Sequence, residues 1–272
     1  MNIKIAVLTL VKSRKGALIN LIKGLSLNNY TAMELLIVHM NEDICDLPVT
    51  SFPIHSICLH TAEDLPLAKA RNLAISHTTA EHCIFVDVDC IPAANFMTSY
   101  ECAFNKKDIL WSGLLRHLKI GFPSSLATNE LDQWSDDDPI RNDLKILPYE
   151  LFWSLNFGCS KSLFEKIGGF DESYEGYGAE DTDCSFVARK KGVELGIVHA
   201  TAYHQPHSSY NPPLNHLEDI VRNAIVFHEK WDRWPMEGWL AKFVEMGYVK
   251  WNDQDLVIVN YPTASEVEIA SK

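Results

Sequence analysis

The first half of the chain alternates short apolar runs with stretches of helical spacing. IKIAVLTL (3–10) reads as a strand, and ALINLIKGLSL (17–27) places Leu18, Leu21, Ile22 and Leu25 one helical turn apart. ELLIVHM (34–40) and IHSICLH (54–60) predict a second and a third strand, with the polar NED after the second. LAKARNLAIS (67–76) puts Leu67, Ala70, Ala74 and Ile75 on one helical face, and HCIFVDVD (82–89) predicts a fourth strand. This βαββαβ order implies an α/β fold with a mostly parallel sheet covered by helices. Such sheets bind ligands outside the carboxyl ends of their strands, where Asp87, Asp89 and Asn41–Asp43 fall.

The second half is less regular. DILWSGLL (108–115) predicts a strand, and residues 119–148, with PSS, SDDDP and LPYE, predict a long excursion or loop. SKSLFEKIGGFDE suggests a short helix stopped by Gly168 and Gly169. AEDTDCSFVARKKG suggests another, with acids in its first turn, bases in its last and Gly192 as its stop. VELGIVHA predicts a strand. Residues 214–231 carry Leu217, Ile220, Val221, Ala224 and Phe227 at helical spacing, and MEGWLAKFVEMGYV predicts a last amphipathic helix. With no internal repeat, low-complexity tract or linker, the expectation is one domain over 1–213 and a helical extension of it over 214–272.

Composition narrows the function. The chain has 272 residues, 47% hydrophobic and 22% charged, an ordinary globular balance. A formal net charge of -12 argues against nucleic-acid binding, which needs a basic face. The seven cysteines are odd in number and form no CxxC pair, which argues against a disulfide framework or a structural zinc site. The N-terminal apolar run lacks a cleavage-type site, and no stretch approaches the roughly 18 apolar residues of a membrane span. The expected location is cytoplasmic, with room for peripheral membrane contact.

Three stretches carry chemistry. FVDVDCIP (85–92) ends an apolar run in Asp87 and Asp89, which alternation would put on one side of the strand. Two close acids repel, and a divalent cation that prefers carboxylate oxygen would compensate; a strand end with two solvated acids is the other reading. GGFDESYEGYGAEDTDCSF (168–186) sets Tyr177 between Gly176 and Gly178, suited to a close backbone approach to a ligand, before Glu180 and Asp181 open a helix. Those acids could also simply complement the helix dipole. HATAYHQPHSSYNPP (199–213) clusters His199, His204 and His207 after a strand, without the spacing of a helical zinc site. One of these histidines could complete a coordination begun by the two aspartates.

Taken in this order, FVDVDCIP, GGFDESYEGYGAEDTD and AYHQ resemble the family 2-like glycosyltransferases of the GT-A (Rossmann-like) fold. The likeness is to the group of β-1,4-galactosyltransferases, chondroitin-polymerising enzymes and polypeptide N-acetylgalactosaminyltransferases. PLAKARNLAI is similar to that family's nucleotide-side helix, and the resemblance spans about residues 3–207. It implies a hexosyltransferase that moves a hexose or N-acetylhexosamine from a nucleotide-diphosphate sugar, UDP-sugar favoured, to a glycan, lipid-linked or small-molecule acceptor. It further implies inversion and a Mn²⁺ or Mg²⁺ cofactor. Residues 1–115 would form the nucleotide-sugar half and 116–213 the acceptor and catalytic half.

The same resemblance assigns roles. Asp89 and His204 would hold the metal, with Asp87 beside it or on the ribose. Asp181 would be the general base, and Glu180 would bind donor or acceptor hydroxyls. Tyr177 and Gly178 would meet the acceptor. Thr9, Arg14, Asn41, Arg71, Asn72 and Val88, with Asp87, would line the nucleotide sugar's site. Three departures stand out. Ala179 replaces the family's glycine before the acids, MNED replaces an acidic DDGS after the second strand, and His207 rivals His204. A metal-dependent nucleotidyltransferase or sugar-nucleotide hydrolase would also place acids at a sheet's carboxyl edge. TLVKSRKG holds only Gly16, against the glycine-rich phosphate loop common in nucleotidyltransferases. A sugar-binding module that has lost catalysis is the third alternative. Trp231, Trp234 and Trp239 of WDRWPMEGWLAKF (231–243) could stack on an acceptor sugar, but they fall largely at helical or turn positions, which favours core packing.

Overall fold

The computed structural model describes residues 3–123, 125 and 130–271. A nine-stranded sheet runs through the chain, in the order β3-β2-β1-β4-β8-β6-β9-β5 with β7 pairing to β6. Its N-terminal part is β1 (Ile5–Val11), α1 (Lys15–Ser26), β2 (Met33–Met40), β3 (Ile54–Leu59), α2 (Leu67–Ser76) and β4 (His82–Val86). These four strands are parallel to one another. Then come β5 (Cys90–Pro92), α3 (Phe96–Lys106), β6 (Leu110–Leu118), β7 (Ser135–Asp137), β8 (Asn156–Ser160), α4 (Lys161–Ile167), α5 (Glu180–Lys190) and β9 (Leu195–His204). Strands β6 and β9 run with β1–β4, whereas β5, β7 and β8 run against them.

The unbroken apolar run of β1 reflects burial on both faces. Ile5, Val7 and Val11 join one core with Leu18, Leu21, Phe96 and Tyr100 of α1 and α3. Ala6, Leu8 and Leu10 join another, with Ala70 and Ala74 of α2 and Phe164 of α4. Phe85 of β4 lies face to face with Phe157 of β8, ring centroids 4.5 Å apart. Between Gly113 and Leu114 the β6–β9 register slips, and the buried Asn156 fills the irregularity by donating to the carbonyls of Leu114 and Ala200.

The chain departs from the pattern-based expectations in five places. Strand β9 runs on to His204, so His199 and His204 lie within the strand and only His207 follows it. Strand β4 stops at Val86, and Asp87–Asp89 form a turn closed by the Cys90 N–H on the Asp87 carbonyl at 2.9 Å. Strand alternation therefore does not set the direction of the two aspartates. The excursion over 119–148 contains β7, and its described part packs Leu131 against Leu118 and Tyr203. Elements β5, α3 and β8 lie outside the predicted set. In the C-terminal region, α6 (Leu217–Trp231) and α7 (Glu237–Glu245) are followed by a β10 (Val249–Trp251)–β11 (Leu256–Ile258) hairpin and α8 (Ala264–Ala270). Gly247, at φ +79°, ends α7 in the conformation that makes glycine a helix stop, so α7 is not the last element. The region has a core of its own, built on Leu217, Ile220, Leu240 and Phe243. Among the described residues no helix is long and apolar enough to cross a membrane.

Candidate active site

Strand pairing builds the first corner of the site. Antiparallel β5 and β9 set Cys90 opposite His204, which brings Asp89, one residue before β5, beside the end of β9. The Gln205 N–H fixes the junction by donating to the Asp89 carbonyl at 2.7 Å. His204 Nε2 lies 3.6 Å from Asp89 Oδ1, and His207 Nε2 lies 3.4 Å from Asp89 Oδ2. One ligand atom from each of Asp89, His204 and His207 falls within 4.8 Å of the other two. Asp89 is buried, and among the described residues its Oδ1 accepts no hydrogen bond, as expected of an oxygen kept for a ligand. Burial lowers the pKa of His204, favouring the neutral imidazole that coordinates metals. One carboxylate and two imidazoles fit a first-row divalent cation such as Mn²⁺ or Zn²⁺. Asp87 is not in this group. It faces the same cleft, and burial, then the charge of Asp89, push its carboxyl up to about 7.

The second corner is the start of α5. Ala179 precedes it at φ +72°, a left-handed conformation that a glycine would take without strain. Glu180 accepts a hydrogen bond from Arg71 Nη1 at 2.9 Å, and both side chains are buried. The Arg71 guanidinium also lies over the Phe170 ring, 4.9 Å from its centroid. Asp181 receives the Thr182 N–H at 2.7 Å. Burial, then the neighbouring Glu180, push its carboxyl up to about 7, while Arg71 pulls the other way. A carboxyl so poised changes protonation near neutrality, which suits proton abstraction.

The glycine loop before these acids is held by the C-terminal region. Asn223 of α6, fully buried, accepts from the Glu175 N–H and donates to the carbonyls of Glu175, Tyr177 and Gly178. Asp219 accepts the Tyr177 N–H at 3.3 Å. Gly176 and Gly178 have positive φ, and a Cβ on either would strike Asp219 or Met236 respectively. These glycines therefore permit a close approach of the protein's own side chains. The Tyr177 ring stacks on His216 at 4.6 Å and on Trp239 at 6.0 Å.

Both corners open on one cleft of about 660 Å³ at the carboxyl edge of the parallel strands. Arg14, Arg71, Val88, Tyr177 and Gly178 line it with the four acids and both histidines. Thr9, Asn41 and Asn72 do not. Thr9 is buried in β1, Asn41 braces the 61–64 loop through Thr61 and Glu63, and Asn72 holds Phe170 and Glu172. Trp153, Ser154, Glu237 and Trp239 line the cleft without having been singled out as site residues by sequence. The first two arrive because β8 runs against β4: its entry lies at the same edge as the end of β4, and the Asp87 N–H donates to Leu155.

A family profile described as the N-terminal domain of galactosyltransferase matches residues 143–208, less than half of the chain. That span holds the glycine loop, the α5 acids and His204. The chain is similar over most of its length to S. aureus TarS 1-349 in complex with UDP-GlcNAc, at 13% identity and a TM-score of 0.59, covering 83% of this chain and 67% of that one. The mannosyltransferase PcManGT from Pyrobaculum calidifontis, in complex with GDP-Man and Mn²⁺, gives 14% identity and a TM-score of 0.54, covering 90% and 65%. The fold is that of the GT-A glycosyltransferases. Among curated proteins, validoxylamine A glucosyltransferase of Streptomyces hygroscopicus subsp. jinggangensis (strain 5008) is 31% identical over 51 residues. That match covers 19% of this chain and 12% of that protein.

Proposed function

We propose that the chain is a metal-dependent glycosyltransferase that moves a hexose or N-acetylhexosamine from a nucleotide-diphosphate sugar to an acceptor hydroxyl, with inversion. The observation that carries this reading is the single cleft shared by the Asp89–His204–His207 corner and the Asp181 carboxyl. Supporting it are the galactosyltransferase-type match across the acid-bearing segment and the nucleotide-sugar complexes of two proteins with this fold. The motif order favours the galactosyltransferase-type group and a UDP-sugar.

Asp181 takes the proton of the acceptor hydroxyl as its oxygen forms the new bond to the anomeric carbon. The bond from that carbon to the diphosphate breaks, and the nucleoside diphosphate leaves with the electron pair. A divalent cation held by Asp89, His204 and His207 would supply charge neutralisation for the leaving diphosphate. Arg71 fixes Glu180 beside the base, so Glu180 is left to bind sugar hydroxyls through its second oxygen. Tyr177, Trp239 and Glu237 form the wall facing an acceptor.

The test is turnover of UDP- and GDP-sugars with Mn²⁺, with and without hexoside acceptors, in the wild type and Asp181→Asn. Removal of a general base predicts a loss of about 10²–10⁴-fold in kcat. Metal-dependent nucleotide binding should survive, read as thermal stabilisation by ligand. Full transfer by Asp181→Asn removes it from the role of base. Donor cleavage that acceptors never accelerate favours a hydrolase.

A further inference from the structure

Arg14 stands where a cation is wanted. Its Nη1 lies 2.5 Å from Asp89 Oδ2 and its Nη2 lies 3.3 Å from His207 Nδ1. Asp89, which joins the other two candidate ligands, thus already faces a guanidinium, whereas His207 turns Nδ1 toward it, an atom that also lies 2.9 Å from the Ser208 carbonyl, and keeps Nε2 toward Asp89. A guanidinium is a cation, and it repels a second cation placed beside it. The arrangement is also incomplete. Asp89 Oδ1, the oxygen near His204, is buried with no hydrogen-bond partner among the described residues, so the guanidinium satisfies only half of the carboxylate.

The arginine has somewhere to go. Its side chain is 36% exposed and sits at the N-terminal start of α1. It borders the main cleft and also a second cavity of about 390 Å³ lined by Ala17, Asn20 and Gln205. Arg14, Asp89 and His207 are common to both spaces, so they form the partition between them. A guanidinium released from Asp89 toward the main cleft would face the compartment proposed for the donor. Its fork geometry suits a phosphate oxygen as well as a carboxylate.

We propose that Arg14 is a stand-in counter-ion: it competes with the divalent cation for Asp89, and passes to the donor's diphosphate when the cation enters. This rests on the glycosyltransferase reading. It makes Arg14 a positioning residue that couples two binding events. Cation binding alone is weakened, because Arg14 must first be displaced. A diphosphate that draws Arg14 away strengthens cation binding, and the cation strengthens diphosphate binding by the same factor.

The experiment measures Mn²⁺ binding to the full chain, by the loss of the free-ion electron paramagnetic resonance signal, with no nucleotide and with UDP or GDP. Proteins are the wild type, Arg14→Gln and Arg14→Lys, each checked for unchanged melting. Arg14→Gln should bind Mn²⁺ alone more tightly, on the order of tenfold, within the range usual for coupled sites. Its enhancement by UDP or GDP should shrink. Arg14→Lys keeps the charge without the fork and should fall between the two. If Arg14→Gln binds Mn²⁺ as weakly as the wild type, or more weakly, the stand-in role is overturned while the metal corner survives. If neither protein binds Mn²⁺ with or without nucleotide, the metal corner falls and this inference with it.

Discussion

Replacing Asn223 by alanine tests how the catalytic loop is supported. The side chain is fully buried, and it serves the backbone of Glu175, Tyr177 and Gly178. The Glu175 carbonyl would keep Arg222 Nη2 at 2.7 Å, so its loss is small. The Glu175 N–H and the Tyr177 and Gly178 carbonyls would be left without these partners. A fully buried group left unpaired costs about 1–3 kcal/mol; these three lie in part-buried hydrogen bonds and keep some access to water, which puts the total loss at about 2–4 kcal/mol. For a chain of this size, that is a fall of roughly 4–15 °C in melting temperature. Urea unfolding followed by tryptophan fluorescence measures it, and hydrogen exchange at the Glu175 amide should accelerate. Asn223→Asp keeps the shape but turns a carboxylate toward three carbonyl oxygens, so it should lose at least as much. A loss below about 1 kcal/mol in Asn223→Ala, with unchanged exchange at Glu175, would refute the idea that α6 holds the loop through this residue.

Other outcomes follow from the same geometry. With the Asp181 carboxyl pushed up to about 7, kcat/KM should rise with pH through about 7 and level off above it, and Asp181→Asn should lack that limb. Stability runs the opposite way: the raised carboxyl holds its proton more tightly folded than unfolded, so its contribution is full below the ordinary 3.8 and is lost as pH climbs toward 7. Wild type and Asp181→Asn compared by urea titration across that range would expose the difference, and parallel curves would contradict it. Gly176→Ala adds left-handed strain of about 1–2 kcal/mol to a collision with Asp219, so melting should fall and transfer should fail. Arg71→Met strands the buried Glu180 charge and should cost about 3–5 kcal/mol, much of it recovered by adding Glu180→Gln. Equal losses in the single and double variants would count against that pairing.

Much of the fold was written in local pattern. Residues 3–10 and 34–40 announced strands because their apolar residues serve two cores at once. What stayed hidden was set at long range. Strand β8 is five residues with a central glycine, and it exists because Phe157 meets Phe85 and Asn156 fills a register slip made by two distant strands. For α3 a local signal did exist, in Phe96, Tyr100, Ala103 and Phe104, and the pattern-based prediction passed over it. At the site, the acids and histidines stood out because charges at strand and helix ends are unusual. The partners that give them their setting did not. Arg14 was legible as a nucleotide-side residue but not as the partner of Asp89, 75 positions away, and Trp239, open to core packing or sugar stacking, meets Tyr177. The glycines carry two readings at once, since a short φ-permissive loop looks the same in sequence whether it makes room for a sugar or for Asp219.

The order of the sheet bears on how this molecule meets others of its kind. At one end lies β5, only three residues long and closed by Pro92, which has no N–H to offer. Helix α1 also leans on that end, with Asn28 donating to the Ala93 carbonyl and Gly24 packed against Ile91 and Pro92. A foreign strand finds little ladder to extend there. The opposite end, β3, offers six residues and no proline, so strand-on-strand association between copies would begin along Ile54–Leu59, on the far side of the sheet from the β5–β9 corner.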